Sequence, residues 1–176
     1  MSSAQRAAGH WFESDPLWFK TAIFYEIHLR GFFDGTGDGH GDFRGLTEKL
    51  EYLQWLGVTC VWLLPMYESP GRDGGYDIAD FYKVHSDYGT MDDVRTFIEA
   101  AHERGIRVIA DLVMNHMSSD CAWFQESRSG DPAGARRARW NHSWSLDVWF
   151  MTRSAITRIP RWWADSMKRL ASAIVP

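Results

Sequence analysis

The run Val58 to Leu64, VTCVWLL, constrains this chain more than any other segment. It is nearly continuous in apolar residues, and Pro65 ends it. A strand with one wet face alternates apolar and polar side chains, whereas an unbroken apolar run suits a strand buried on both faces of a parallel sheet. Parallel strands cannot be joined by a tight turn and need a crossover, usually a helix. The chain should therefore carry further strands separated by helices.

It does so on both sides of that run. Ala22 to Leu29, AIFYEIHL, is rich in aromatic and β-branched residues and predicts a strand. Leu46, Leu50, Leu53 and Leu56 then fall near helical spacing, with Gly57 as the stop. After the apolar run a long loop is predicted from Met66 to Gly89. Thr90 then offers a helix N-cap, with Asp93 as its capping-box partner. Val94, Phe97, Ile98 and Ala101 recur at the spacing of one buried helix face, and Gly105 closes that helix. Ile106 to Met114, IRVIADLVM, predicts a third strand. Three strands joined by right-handed helical crossovers imply an α/β fold with a parallel sheet.

Two parallel architectures compete. A doubly wound nucleotide fold would carry G-x-G-x-x-G after the first strand, but the loop GTGDGHGDFRG lacks that register. Its acidic residues would also repel a pyrophosphate. An eight-unit barrel instead places its functional loops at the C-terminal ends of the strands. The unusual residues here sit at those ends: Asp34 to Asp42, then Tyr76 and Asp77, then Asn115 and His116. We therefore expect a partial (β/α)8 TIM barrel, about its first three βα units, since a whole barrel takes roughly 250 residues.

Charge divides the chain. Residues 1–130 hold 11 Lys+Arg against 20 Asp+Glu, a balance of −9, whereas residues 131–176 hold 8 against 3, a balance of +5. Half of the 10 tryptophans lie in that last segment, which has neither helical nor strand periodicity. The expected organisation is a 1–14 extension, barrel units over 15–130, and a basic Trp- and Arg-rich tail over 131–176. The tail reads either as a basic surface segment or as an out-of-frame C-terminus, and its disagreement with its neighbours favours the second. A net charge of −4 argues against a general nucleic-acid binder. No apolar run reaches the length of a membrane helix, and the N-terminus lacks the apolar core of a secretory signal. Two cysteines, Cys60 and Cys121, make no disulfide framework, so a reduced, cytoplasmic setting is expected.

Three motifs carry chemistry. In the loop Asp34-Gly-Thr36-Gly-Asp38-Gly-His40-Gly-Asp42, oxygen ligands fall at alternate positions, with His40 contributing its backbone carbonyl and Gly39 at the sharp turn. This is the front half of an EF-hand-like calcium loop, although the closing Glu is replaced by Gly45. Hard oxygens suit Ca2+ better than zinc, and without a cation the close carboxylates would repel. A bare acidic turn is the alternative. Asp111 lies in an apolar strand and needs a buried donor as partner. Asn115 and His116 end that strand, where a satisfied core histidine and a site histidine are both open readings. Gly74-Gly75-Tyr76-Asp77 pairs an aromatic with a carboxylate, which suits a sugar's C–H face and hydroxyl rim but also suits an exposed turn.

Together the motifs resemble the α-amylase family. DLVMNH at Asp111–His116 resembles its first signature region, and GGYDIADF with VHSDYGT resembles its second-strand loop. DGTGDGHGDFRG resembles its calcium loop, where Asn is more usual in place of Thr36. AIFYEIHLRGF, LEYLQWLGVTCVWLLPMYESP and the SRSG near Ser129 are most similar to the trehalose-synthase branch, and the resemblance runs from Asp15 to Ser129. The resemblance implies that Tyr76 stacks on a glucose ring, that Asp77 and His116 hold its hydroxyls, and that Asn115 sits where a structural calcium often binds. It implies an α-glucoside substrate such as maltose or trehalose and retaining glucosyl transfer. The nucleophile and acid/base of the family lie on later strands, so no catalytic residue is expected here. The chain alone is expected to be an inactive fragment. A fragment of an oligosaccharide α-glucosidase or α-amylase, and a non-enzymatic calcium- or sugar-binding remnant, are the alternatives.

Overall fold

The computed structural model describes residues 17–113 and 115–130. The 1–14 extension and the 131–176 tail lie outside the described residues. The described residues divide into two compact units, one built from residues 17–64 and 87–111, the other from 65–86, 112–113 and 115–130.

The first unit holds a three-stranded sheet in the order β1 (Phe24–Ile27), β2 (Cys60–Leu63), β5 (Arg107–Ala110). Both pairings are parallel, with Phe24 opposite Cys60 and Cys60 opposite Arg107. The three expected strands therefore exist, each trimmed at its ends. One face meets the prediction: Ile27, Val61 and Leu63 are buried. On the other face the row Glu26–Trp62–Ile109 is exposed, with Trp62 at 37%. The apolar run is thus not fully covered on both sides in this structure. Asp111 follows the last residue of β5, and its partner is not the buried donor expected: the exposed Trp62 indole Nε1–H donates to its Oδ1 at 2.7 Å.

The predicted leucine helix is two short helices, α1 (Phe43–Glu48) and α2 (Leu50–Trp55), divided at Lys49. Leu46, Leu50 and Leu53 are fully buried, whereas Leu56 is exposed beyond the helix end. Helix α3 (Met91–Glu103) begins as predicted. The Thr90 hydroxyl accepts from the Asp93 amide, and the Asp93 carboxylate accepts from the Thr90 amide at 2.8 Å, a complete capping box. Val94, Phe97, Ile98 and Ala101 are its buried face, and Phe97 packs on Phe43 with ring centroids 5.8 Å apart. Gly105 takes the left-handed conformation (φ 73°) that stops the helix.

The second unit corrects the predicted long loop. Within Met66–Gly89 it contains a two-stranded antiparallel sheet, β3 (Tyr67–Glu68) with β4 (Asp80–Val84). Two residues are too few to show an alternating pattern, so β3 leaves no periodic signal. A small core of Tyr67, Ile78 and Val113 lies against it, with Tyr76 and Phe81 at its margin. Helix α4 (Ala122–Arg128) follows, and its Trp123 stacks on Phe81 at 5.6 Å. It was not predicted, because seven residues span barely two turns and show no buried face. Among the described residues no helix is long and apolar enough to cross a membrane.

Candidate functional site

The glycine- and aspartate-rich loop of the first unit folds around its own amides. Asp34 Oδ1 accepts from the amides of Thr36 (3.0 Å) and Gly37 (2.6 Å), and Oδ2 accepts from Gly39 N (2.8 Å). These amides, Gly39's first and then Gly37's, hold the Asp34 carboxyl below the usual range. Asp42 is buried and caps α1, accepting from Gly45 N at 2.7 Å. Its other oxygen accepts from Gly35 N (3.1 Å), Thr36 N (3.0 Å) and the Thr36 hydroxyl (3.0 Å). Asp38 accepts from the His40 amide at 2.8 Å, while the His40 ring meets Arg30 at 3.2 Å.

Gly39 has the predicted left-handed backbone, φ 92°. Gly45 is glycine for another reason: a Cβ there would lie 2.1 Å from the Phe33 carbonyl oxygen, so a closing Glu has no room. For Ca2+ the donor chemistry is suitable, since carboxylates, a hydroxyl and a carbonyl are all hard oxygens. The geometry is less so. Among the described residues no three His, Cys, Asp or Glu side chains gather as a metal site.

The second unit holds the Tyr76 loop. Ser69 is buried at one end of it and Asp77 closes the other. The Ser69 hydroxyl donates to Asp77 Oδ1 at 2.7 Å. The Asp73 amide donates to the same oxygen at 3.2 Å, and the Arg72 amide donates to Oδ2 at 3.0 Å. Burial pushes the Asp77 carboxyl up, but the Ser69 hydroxyl and these amides together outweigh it and hold it low. The Tyr76 amide donates to Asp73 O at 3.0 Å, and the Tyr76 ring rests against the Tyr67–Ile78–Val113 core. Gly75 has φ 99°, which only glycine adopts without strain.

His116 lies in the same unit. Its Nδ1 is 3.0 Å from Asn115 Oδ1, so Nδ1 is the donor in that bond. Asn115 therefore orients the imidazole here. On the other side of the ring, Nε2 lies 3.9 Å from Asp73 Oδ2. Arg72 reaches Asp120 at 2.9 Å, and the Asp120 amide donates to Ser118 Oγ at 3.1 Å, which ties the loop to the segment carrying His116. The structure thus brings Asp73 and His116 together and ties both Tyr76 and Asp77 to the Asp73 backbone.

Sequence reading missed Asp73, Ser69 and Arg72. Asp73 stands immediately before Gly74-Gly75, but nothing in the string separates its carboxylate from that of Asp77. Ser69 and Arg72 act through a hydroxyl or a backbone amide that any turn could supply.

The family described as alpha amylase, catalytic domain, matches residues 26–168, running on past Ser129 where the resemblance was expected to stop. The trehalose synthase/amylase TreS of Mycobacterium tuberculosis is 61% identical over 121 residues, 69% of this chain and 20% of that protein. An oligo-1,6-glucosidase of Heyndrickxia coagulans is 49% identical over 111 residues, 63% of this chain and 20% of that protein. The crystal structure of a trehalose-6-phosphate hydrolase from Bacillus licheniformis superposes with TM-score 0.63 at 50% identity, over 65% of this chain and 21% of that one. The chain spans about a fifth of the length of these relatives.

Proposed function

From the premise that the chain belongs to the alpha-amylase family, matched over residues 26–168, we propose that it is part of an α-glucoside-processing enzyme of the trehalose-synthase kind. Its parallel strands β1, β2 and β5 are then the first three of an eight-unit barrel. The enzyme interconverts maltose and trehalose by retaining glucosyl transfer, which takes two carboxyl groups about 5–5.5 Å apart. The residues described here supply sugar binding: Tyr76 offers a flat apolar face, Asp73 and His116 offer groups for a hydroxyl rim, and Asp77 closes the loop that carries Asp73 and Tyr76.

The observation that carries this reading is the approach of Asp73 Oδ2 to His116 Nε2, 3.9 Å apart beside the Tyr76 loop. With the proton on His116 Nδ1, its Nε2 and the Asp73 carboxylate are both acceptors, a pair suited to receive the O–H bonds of neighbouring sugar hydroxyls. Binding of maltose and trehalose to the chain, followed by saturation-transfer NMR, tests it. Both sugars should bind, and His116→Ala and Tyr76→Ala should each weaken them by about tenfold, or ~1.4 kcal/mol. Absence of binding by the wild-type chain sinks the reading. Preference for isomaltose over both would favour the oligo-1,6-glucosidase reading, which the Heyndrickxia coagulans relative supports.

Calcium remains part of the proposal, held by Asp34, Thr36, Asp38, the His40 carbonyl and Asp42, with Asn115 as a separate ligand. What supports it is the hard-oxygen donor set, and metal analysis of the purified protein with Asp38→Ala as control tests it. A reducing compartment is proposed as well, since Cys60 and Cys121 are both buried free thiols.

A further inference from the structure

We propose that Asp77 is a positioning residue, which fixes the backbone that presents Asp73 and Tyr76 and does not itself hold the sugar. This inference rests on the reading of Asp73, Tyr76 and His116 as sugar-facing groups. An ionised carboxylate has about four acceptor sites. Three of those on Asp77 are taken by donors of its own loop: Ser69 Oγ at 2.7 Å, Arg72 N at 3.0 Å and Asp73 N at 3.2 Å. The fixed partner among these is Ser69, which is 5% exposed and whose oxygen also accepts from the Gly71 amide at 3.0 Å. Beside it, the Ala79 amide donates to Glu68 O at 2.8 Å, at the end where β3 meets the start of β4. Ser69 and Asp77 therefore form the rung that closes residues 70–76 into a loop at that end of the sheet.

The contacts reach the site through the main chain. Asp77 holds the amides of Arg72 and Asp73, and the Asp73 carbonyl holds the amide of Tyr76. The direction of the Asp73 carboxylate toward His116 is set by this backbone. The direction of the Arg72 side chain toward Asp120 is set by it too. Without the Asp77 acceptor, two amides lose their partner and Gly71, Gly74 and Gly75, all with positive φ, no longer hold one turn.

Ser69→Ala, Asp77→Asn, Asp77→Ala and the double variant Ser69→Ala/Asp77→Asn separate this from direct contact. Maltose Kd is measured on the full chain by saturation-transfer NMR. If Asp77 positions the loop, Ser69→Ala and Asp77→Asn each raise Kd about fivefold, and the double variant is no worse than either alone. Asp77→Ala is worse than Asp77→Asn, because Asn keeps one acceptor oxygen. If Asp77 itself held a hydroxyl, Ser69→Ala would bind like wild type, and one monodeoxy glucoside would bind Asp77→Ala as tightly as wild type; either result overturns the inference. Amide hydrogen exchange gives a readout that needs no sugar. The Arg72 and Asp73 amides should be protected in the wild type and exchange faster in Asp77→Asn, and unprotected amides in the wild type also overturn it. His116→Ala distinguishes the two layers: if it binds maltose like wild type, the site reading itself fails, and this inference fails with it, whatever Ser69→Ala does.

Discussion

Asp42→Ala is the most informative perturbation of the first unit, because two readings of the Asp34–Asp42 loop disagree about it. If Asp42 serves a cation, its removal should matter only when the cation is present. The structure gives its carboxylate a different task. One oxygen caps α1 through Gly45 N at 2.7 Å, and the other accepts from Gly35 N, Thr36 N and the Thr36 hydroxyl at 3.0–3.1 Å. The side chain is 2% exposed, so water does not readily replace it at Gly45. Loss of an N-cap acceptor costs about 1 kcal/mol. Each hydrogen bond to a charged acceptor adds roughly 1.5–3 kcal/mol when fully buried, and about half of that where water reaches the donor. Gly35 and Thr36 are exposed, which places the total near 4 kcal/mol by that discount. Urea unfolding in a chelating buffer should show this loss, with Tm lower by roughly 10 °C. Asp42→Asn keeps one acceptor oxygen and should lose about half as much. A loss below about 1 kcal/mol in chelator, or one seen only with added calcium, would refute the reasoning.

Thr90→Ala removes the hydroxyl that accepts from Asp93 N at 3.2 Å, and urea unfolding should show a loss of about 1 kcal/mol. The Asp93 carboxyl is held below the usual range, first by the Thr90 hydroxyl and further by the Thr90 amide and Arg44, against the upward push of burial. A carboxyl whose folded pKa is depressed stabilises above its unfolded value of about 3.9, and that stability is lost as pH falls through the folded one. Asp93→Asn should therefore flatten the acid limb of a stability–pH curve below about pH 4, and an unchanged limb would contradict the assignment. Phe97→Ala empties a fully buried position packed on Phe43, and a loss of about 3–5 kcal/mol in urea unfolding is expected.

The parallel sheet was legible because its signals are local and redundant. VTCVWLL has a length and composition that few structures other than a buried strand accommodate, and Thr90 with Asp93 marks a helix start through contacts three residues apart. Lys49 shows the limit of periodicity. The leucine spacing continues straight through it, yet the helix divides there, because Lys49 sits at φ −90°, ψ 1° between α1 and α2. The β3–β4 pair was illegible for a different reason. Tyr67 and Glu68 form a strand only through Val84 and Asp80, more than ten residues away, and two residues carry no pattern of their own.

The site shows where pattern reading stops. Asp73 and Asp77 flank the same Gly-Gly-Tyr, both are carboxylates, and sugar chemistry alone would accept either as a hydroxyl acceptor. What separates them is the count of lone pairs already taken. Asp77 accepts from a hydroxyl and two main-chain amides, whereas Asp73 points its carboxylate at His116. Amides belong to every residue, so a carboxylate that closes a loop on amides leaves the same trace in a sequence as one that waits for a ligand. The ambiguity recurs in the first unit. Oxygens at alternate positions from Asp34 to Asp42 predict a cation by mutual repulsion, yet Asp34 and Asp42 direct their charge onto five backbone amides, those of Thr36, Gly37 and Gly39 for one and Gly35, Thr36 and Gly45 for the other, with Thr36 shared between them. Amide dipoles lower the repulsion that the cation was invoked to relieve. The spacing of the aspartates is therefore explained twice, and the chelator arm of the Asp42→Ala experiment weighs one explanation against the other.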